Sequence, residues 1–305
     1  MKKITEALLR VVSDFTGSFK GAFNIREDGG CAGRQSSEHI LIEDKAGAPG
    51  LVIHVAAGTA GETVYIPACV THGAVDDQVY NDFYIGEGAD VTIVAGCGVH
   101  NEGEESARHN GIHKFILEKG AHVVYQEKHI GTGTGTGLRA IDPVTEAELS
   151  EDAILEIDTL QISGVDRATR KMTAVLGERA RLIVRERLMT DHDEQAETAF
   201  RVTLVGAQAS ADVVSRSVAR GRSHQVFDAY MRGENRVTGH MSCDAILAEQ
   251  GTVLATPSLD AAHVDAQLIH EAAIGRIAGE QLLKLRTLGL SEQAAEEKII
   301  AGFLK

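Results

Sequence analysis

Tryptophan is absent from these 305 residues and aromatics make up only 4% of them, which leaves no stacking platform for nucleobases or sugars. Positive charge is scarce as well. Thirty Lys and Arg face 44 Asp and Glu, a formal net charge of −14, so no basic stripe exists to displace counterions and nucleic acid is not an expected partner. No uninterrupted apolar run is long enough for a membrane span, so no membrane is expected either. The four cysteines, Cys31, Cys69, Cys97 and Cys243, contain no C-x-x-C pair. That excludes a preformed zinc knuckle, a thioredoxin-like motif and a ferredoxin-type cluster run. The start, "MKKITEALLRVVSDFTG", has its apolar positions interrupted by polar ones, and it reads as a short amphipathic helix rather than a signal peptide. The thiols are therefore expected to be reduced, in a cytoplasmic protein.

What the chain does have is glycine, 32 of them against four prolines, and enough length to bury a sizeable core in one large domain or two smaller ones. Its middle repeats loosely. "FYIGEGADVTIVAGCGV" from Phe83, "FILEKGAHVVYQEKHIG" from Phe115, "AVLGERARLIVRERLMT" from Ala174 and "VTLVGAQASADVVSRSV" from Val202 share one pattern. Each is an apolar strand, a small turn on Gly or Ala, then an alternating strand. The turns recur at roughly 30 residues or about twice that, the range of stacked-repeat architectures. A coil of short strands cannot bury its inward face alone, and stacking builds one continuous core. Period-2 alternation is expected to keep Val, Ile and Leu inside and Arg, Glu and Thr outside. A β-sandwich with coincidentally similar hairpins is the alternative to this parallel β-helix.

From Ala272 the period changes. Ile277, Leu282, Leu285 and Leu288 fall at helical spacing, Gly289 stops that helix, Ser291 is placed to cap a second, and Ile299, Ile300 and Phe303 follow. The acidic stretch "IDPVTEAELSEDAILEID", Ile141 to Asp158, reads as a loop or insert.

Four segments raise chemical questions. "GTGTGTG", Gly131 to Gly137, lacks the G-K-[ST] ending of a P-loop and does not fit G-x-G-x-x-G, so a flexible loop is expected and ATP hydrolysis by this chain is not. "GVHNEGEESARHNGIH" gathers His100, His109 and His113 with Glu102, Glu104 and Glu105, which are metal-ligand types but also the makings of a solvated mixed-charge loop, the reading preferred here. In "GHMSCDAIL", Cys243 stands in a strand-like segment beside Asp244, with His240 three residues earlier. It is either a small buried hydrophobe or the best soft-metal ligand in this half of the chain. "LIHEAAIGRI" holds His270-Glu271. A zinc-protease helix would need a second His four residues on, where Ile274 stands, so that reading fails. The pair is expected at the strand-to-helix junction, either complementing the helix start or serving as ligands.

At these residues the chain resembles the SufB/SufD family of the SUF iron–sulfur cluster assembly system. The likeness runs from about Ser215 to Leu304 and rests on "SRSVARGRSH", "GHMSCDAILAEQGTV", "AQLIHEAAIGRIAGEQLLKLRTLGLS" and "EEKIIAGFL". Before about Tyr84 it is weaker and mostly architectural. The resemblance implies a right-handed parallel β-helix with a C-terminal helical segment, subunits that pair through their β-helices, and a helical end that docks the ABC-type ATPase SufC. In the SufB branch the cysteine of the Cys-Asp segment and the glutamate of the His-Glu-Ala segment are linked to nascent cluster assembly. Here they match Cys243 and Glu271, with His270 adjacent. Long SufB proteins carry an extra N-terminal region and more cysteines, and an acidic residue where this chain has Ile269. The chain looks more like the compact archaeal and anaerobe form, in which one subunit type replaces the SufB–SufD pair.

The sequence reading is thus a mainly β protein with an N-terminal helix (1–20), a parallel β-helix core (21–271) and a C-terminal helical segment (272–305) for ATPase docking. It is expected to be a non-enzymatic scaffold, a homodimer or a heterodimer with a related SufB/SufD subunit, passing a transient iron–sulfur cluster to apo acceptor proteins. Cys243 would be the principal thiolate and His270 and Glu271 supporting ligands. One thiolate completed by imidazole and carboxylate holds iron more loosely than four thiolates. Two rivals remain: a SufD-like structural partner without a cluster, and a β-helix carbohydrate lyase or hydrolase, which would need paired carboxylates in a cleft. Of the other cysteines, Cys97 beside the His-rich segment is the first candidate to take part.

Overall fold

The computed structural model describes all residues, 1–305. The chain winds into a β-solenoid of about eight turns. Consecutive long strands alternate between two ten-stranded sheets, so each strand pairs in parallel with the strand one coil away in its own sheet. The alternating sequence explains why. In Arg181–Thr190, Leu182, Val184, Glu186 and Leu188 are buried while the residues between them are not. Stacked coils bring such inward sets into one core of 42 buried residues lying between the sheets.

The segments aligned by sequence are in register. Phe83 pairs with Phe115 and Ala174 with Val202, and the two Phe rings stack with centroids 4.6 Å apart. Between them stands Ala147, in register with both Phe115 and Ala174. The stretch from Ile141 to Asp158 is therefore not a loop or insert. It is another coil, contributing strands Val144–Leu149 and Ile154–Gln161. Its charged outer positions masked the inward Ala147, Leu149, Leu155 and Ile157. One corner of several successive coils holds a left-handed residue. Gly88 and Gly120 supply it freely, whereas Asp152, Arg179 and Gln208 adopt it with φ near +60°.

The first coils are closed by antiparallel hairpins, Ala22–Glu27 with Gly30–Gln35 across a two-residue Asp28-Gly29 turn, and Ile40–Asp44 with Gly50–Val55. Helix Lys3–Val12 lies on the outer face of the strand Asp90–His100, where Gly96 and Gly98 admit it. A Cβ on Gly96 would sit 2.5 Å from the Val12 carbonyl oxygen. The opposite end has no such cap. Thr252–Ala261 and Gln267–Gly275, the last strands of the two sheets, are largely exposed, with Leu254, Leu259, Ile269 and Ile274 in solvent.

The helical end departs from expectation in its start. Strand Gln267–Gly275 runs past Ala272, and the first helix is Gly279–Thr287. His270 and Glu271 are thus mid-strand, because the β-paired register with Thr238–Leu247 continues through Gly275. Gly289 does end that helix, with φ +94°, and Ser291 caps Glu292–Phe303 by accepting from the Ala294 amide. Leu282 and Leu285 are half-buried, while Leu283 and Leu288 are exposed. No helix is long and apolar enough to cross a membrane.

The segment Gly133 to Gly137 is a loop, but an anchored one. Gly135 and Gly137 donate backbone hydrogen bonds to the carbonyls of Asn101 and Gly103, and Thr134 bonds Glu102. Side chains at Gly133, Gly135 or Gly137 would collide with the backbone of residues 101–105. The glycines serve close packing of one coil on the next rather than flexibility.

Candidate functional site

Cys243 lies on the inner face of strand Thr238–Leu247 and is almost fully buried. Burial first, then the negative charges of Glu186 and Asp244, push its thiol up to about 12. Side chains of adjacent parallel strands in register share a face. Met241 is in register with His270 and Cys243 with Ala272, so His270 faces the same side as Cys243. Its Nδ1 is buried without a hydrogen-bond partner. Glu271 is in register with Ser242 and faces the other way. There its carboxylate stands 3.8 Å from His240 Nε2, and His240 Nδ1 in turn is 2.8 Å from Asp212 Oδ1. The three expected ligands therefore do not converge within one chain. Cys243 and His270 share the interior, and Glu271 belongs to an outward Asp212–His240–Glu271 row. Period-2 alternation in "GHMSCD" already separates His240, Ser242 and Asp244 from Cys243.

The larger surprise lies behind Cys243. Glu127, Thr159, Glu186, Ser215 and Cys243 occupy successive rungs of a single interior column. Rungs are about 4.8 Å apart, so Glu127 and Cys243 are separated by roughly 19 Å. Charge was expected outside the coils, yet Glu127 and Glu186 are inside, because both stand at inward positions of their strands. Arg170 bridges them from the facing sheet, donating to Glu127 Oε2 at 2.8 Å with its Nε 3.7 Å from Glu186 Oε1. Thr198 and Ser215 hydroxyls also donate to Glu186, at 2.9 and 2.7 Å. Burial alone would raise the Glu127 carboxyl, but the His129 and Arg170 charges hold it well below the usual range.

His109 and His113 are not in a solvated loop. Both point inward from strand Ala107–Leu117, while Glu102, Glu104 and Glu105 are exposed. His109 Nδ1 is 3.0 Å from Asp77 Oδ2, and Arg26 grips the same carboxylate with three bonds. Burial would raise Asp77, and the His109 and Arg26 bonds reverse that, holding it far below the usual range. His113 Nδ1 meets the Tyr125 hydroxyl at 2.8 Å, Tyr125 donates to Glu127 at 2.9 Å, and Asn81 Nδ2 reaches His113 Nε2 at 3.2 Å. That pattern fits a neutral imidazole protonated on Nδ1. Burial lowers His113 to about 4. His100 sits at the strand end against Thr132. Among the remaining cysteines, Cys31 is exposed, and Cys69 and Cys97 are buried.

A family model described as the SufBD core domain of the SUF system for FeS cluster assembly matches residues 78–303. Curated relatives agree with it. An iron–sulfur cluster assembly SufBD family protein of Methanothermobacter thermautotrophicus is 29% identical over 250 residues, 80% of this chain and 60% of that protein. One of Archaeoglobus fulgidus is 28% identical over 254 residues, 80% of this chain and 66% of that protein. One of Pyrococcus horikoshii is 31% identical over 199 residues, 64% of this chain and 60% of that protein. The chain spans about three fifths of the length of the curated relatives it matches.

Proposed function

The chain belongs to the SufB/SufD family of the SUF iron–sulfur cluster assembly system, and from that premise we propose that it is a scaffold subunit on which a cluster is built and then released. The observation that carries the reading is the position of Cys243. It is one rung from the open end of the solenoid, on the same face as the unbonded His270 nitrogen. A thiol held at about 12 is protonated at neutral pH and becomes a ligand only as iron displaces its proton, so an unloaded site stays quiet. One thiolate and one imidazole per chain leave coordination positions for sulfide or for a second subunit. Glu271, with His240, lines the outer side of the same strand pair.

Pairing is supported by the exposed edge strands Thr252–Ala261 and Gln267–Gly275 with their apolar Leu254, Leu259, Ile269 and Ile274. Unpaired edges of this kind accept another sheet edge. Homodimerisation, or pairing with a related subunit, would bring two Cys243–His270 sets together. The helical end, with exposed Leu283 on Gly279–Thr287 and exposed Leu288 just after it, would dock a SufC-like ABC ATPase, which would supply the nucleotide chemistry. This chain acts by binding rather than catalysis, in the cytoplasm, and hands the cluster to apo acceptor proteins.

The outward direction of Glu271 favours one rival, a SufD-like subunit that stabilises the ATPase complex without holding a cluster. Anaerobic iron–sulfide reconstitution of the wild type and Cys243→Ala, read by absorbance and Mössbauer spectra, separates the two. A cluster that needs Cys243 is the scaffold's signature. Equal spectra, or no cluster in either protein, would leave the structural role.

A further inference from the structure

Four to five rungs from Cys243, roughly 19–24 Å along the solenoid, a second set of ligand atoms converges. Atoms of Cys97, Glu127 and His129 lie within 4.8 Å of one another, and all three residues are buried. Cys97 and His129 are in register on adjacent strands, and Glu127 is two residues before His129, so all three face the interior.

Two of these groups lack partners. His129 is 4% exposed, and its Nε2 is buried without a hydrogen bond. That nitrogen is 3.3 Å from Glu127 Oε1, an ion-pair distance without hydrogen-bond alignment. Cys97 Sγ has no polar partner. A buried polar nitrogen left unpaired costs about 1–3 kcal/mol, which a bound metal ion would recover.

The charges are compatible with a cation. Glu127 and Glu186 share a single guanidinium, Arg170. A ligating imidazole is neutral, so with His129 neutral and Cys97 deprotonated the group carries a net charge of −2, which one divalent cation balances.

We propose that Cys97, Glu127 and His129 form an internal site for one divalent transition-metal ion, separate from Cys243. Thiolate, imidazole and carboxylate suit zinc or ferrous iron better than magnesium or calcium. On binding, the Cys97 S–H bond is lost, the sulfur–metal bond forms and the proton leaves to solvent. A cavity of about 20 Å³ lined by Cys97, His109 and His113, and another of about 20 Å³ beside His129, each have room for a water next to the cluster. Helix Lys3–Val12 seals the outer face at Gly96 and Gly98, so the ion enters during folding or local opening. The site goes beyond the scaffold reading and does not depend on it.

The test uses the Cys243→Ser chain, so that the proposed cluster position is not counted. Cells are supplied with Co²⁺, the protein is purified anaerobically, and cobalt, zinc and iron are measured per chain together with the near-ultraviolet thiolate-to-cobalt absorption. About one metal per chain, with that band present, is expected. Cys97→Ser should abolish the band, and His129→Gln should lower retained metal at least about tenfold. His129→Gln also serves if Cys97→Ser fails to fold. Metal below a tenth of an equivalent in the Cys243→Ser chain, or a band that survives Cys97→Ser, overturns the proposal.

Discussion

Cys243 and Glu271 lie on neighbouring strands but face opposite sides of the sheet, since the residue in register with Cys243 is Ala272. The thiol faces an interior that holds it up to about 12, by burial and by the Glu186 and Asp244 charges, whereas Cys31 is exposed. At pH 8 a group with so high a value is almost wholly protonated and unreactive. Iodoacetamide should therefore modify Cys31 at least about tenfold faster than Cys243 in the metal-free protein. A mass-spectrometric time course checks this, and equal rates would mean that Cys243 is more open than its position indicates.

Arg170 is the only guanidinium between Glu127 and Glu186. Arg170→Met keeps most of the side-chain volume and removes the guanidinium both carboxylates share, leaving Glu186 with hydroxyl donors alone. Unpaired buried charges of this kind cost about 3–5 kcal/mol. Urea unfolding should report a loss in that range, and Arg170→Lys should rescue only part of it because one ammonium cannot reproduce the fork. A loss under about 1 kcal/mol would show that water reaches the pair.

His113 gives a pH signature with a definite sign. Its folded value of about 4 lies below the ordinary histidine value of about 6.5. Between those limits the unfolded chain takes up a proton that the folded chain refuses. The contribution is fully present above 6.5 and is lost as pH falls towards 4, by up to about 3 kcal/mol. Urea midpoints at pH 7, 5.5 and 4.5 should fall more steeply for wild type than for His113→Gln. Parallel curves would contradict the assignment.

Gly131 and Gly164 touch across adjacent coils: a Cβ on Gly131 would lie 1.7 Å from the Gly164 carbonyl oxygen. Backbone on both sides cannot retreat without breaking the stack. Gly131→Ala should cost at least about 2 kcal/mol, whereas Gly103→Ala, whose nearest contact is a side-chain oxygen at 3.6 Å, should stay within about 0.5 kcal/mol. Paired thermal melts decide it, and equal midpoints would remove the argument.

Much of the architecture is legible in the sequence because stacking imposes a period. Phe83, Phe115, Ala174 and Val202 can be aligned by eye and do stand in one column with Ala147. The coil carrying Ala147 is hidden in the sequence because its outer positions are so acidic that composition masks the alternation. The N-cap of the last helix at Ser291 is readable from local chemistry, whereas the end of the last strand is not, since Ala272 and Ala273 suit helix as well as strand and β pairing decides. For the site, residue type misled where parity would have served. Counting by twos along "HVVYQEKH" and "RLIVRERL" puts Glu127, His129 and Glu186 inside, and along "GHMSCD" it separates His240 from Cys243. No sequence rule supplies Arg170 as their partner, because that contact crosses between sheets.

The open end of the solenoid has a kinetic consequence. Along its axis Cys243 is covered by one strand, Gln267–Gly275, which has no further strand beyond it in its sheet. In a linear stack each coil is held by its neighbours, so terminal coils detach at a fraction of the free energy needed to unfold the whole. Access to the thiol is thus governed by fraying of that one strand. Any partner that clamps the strand sets the residence time of whatever Cys243 holds, leaving the rest of the protein undisturbed.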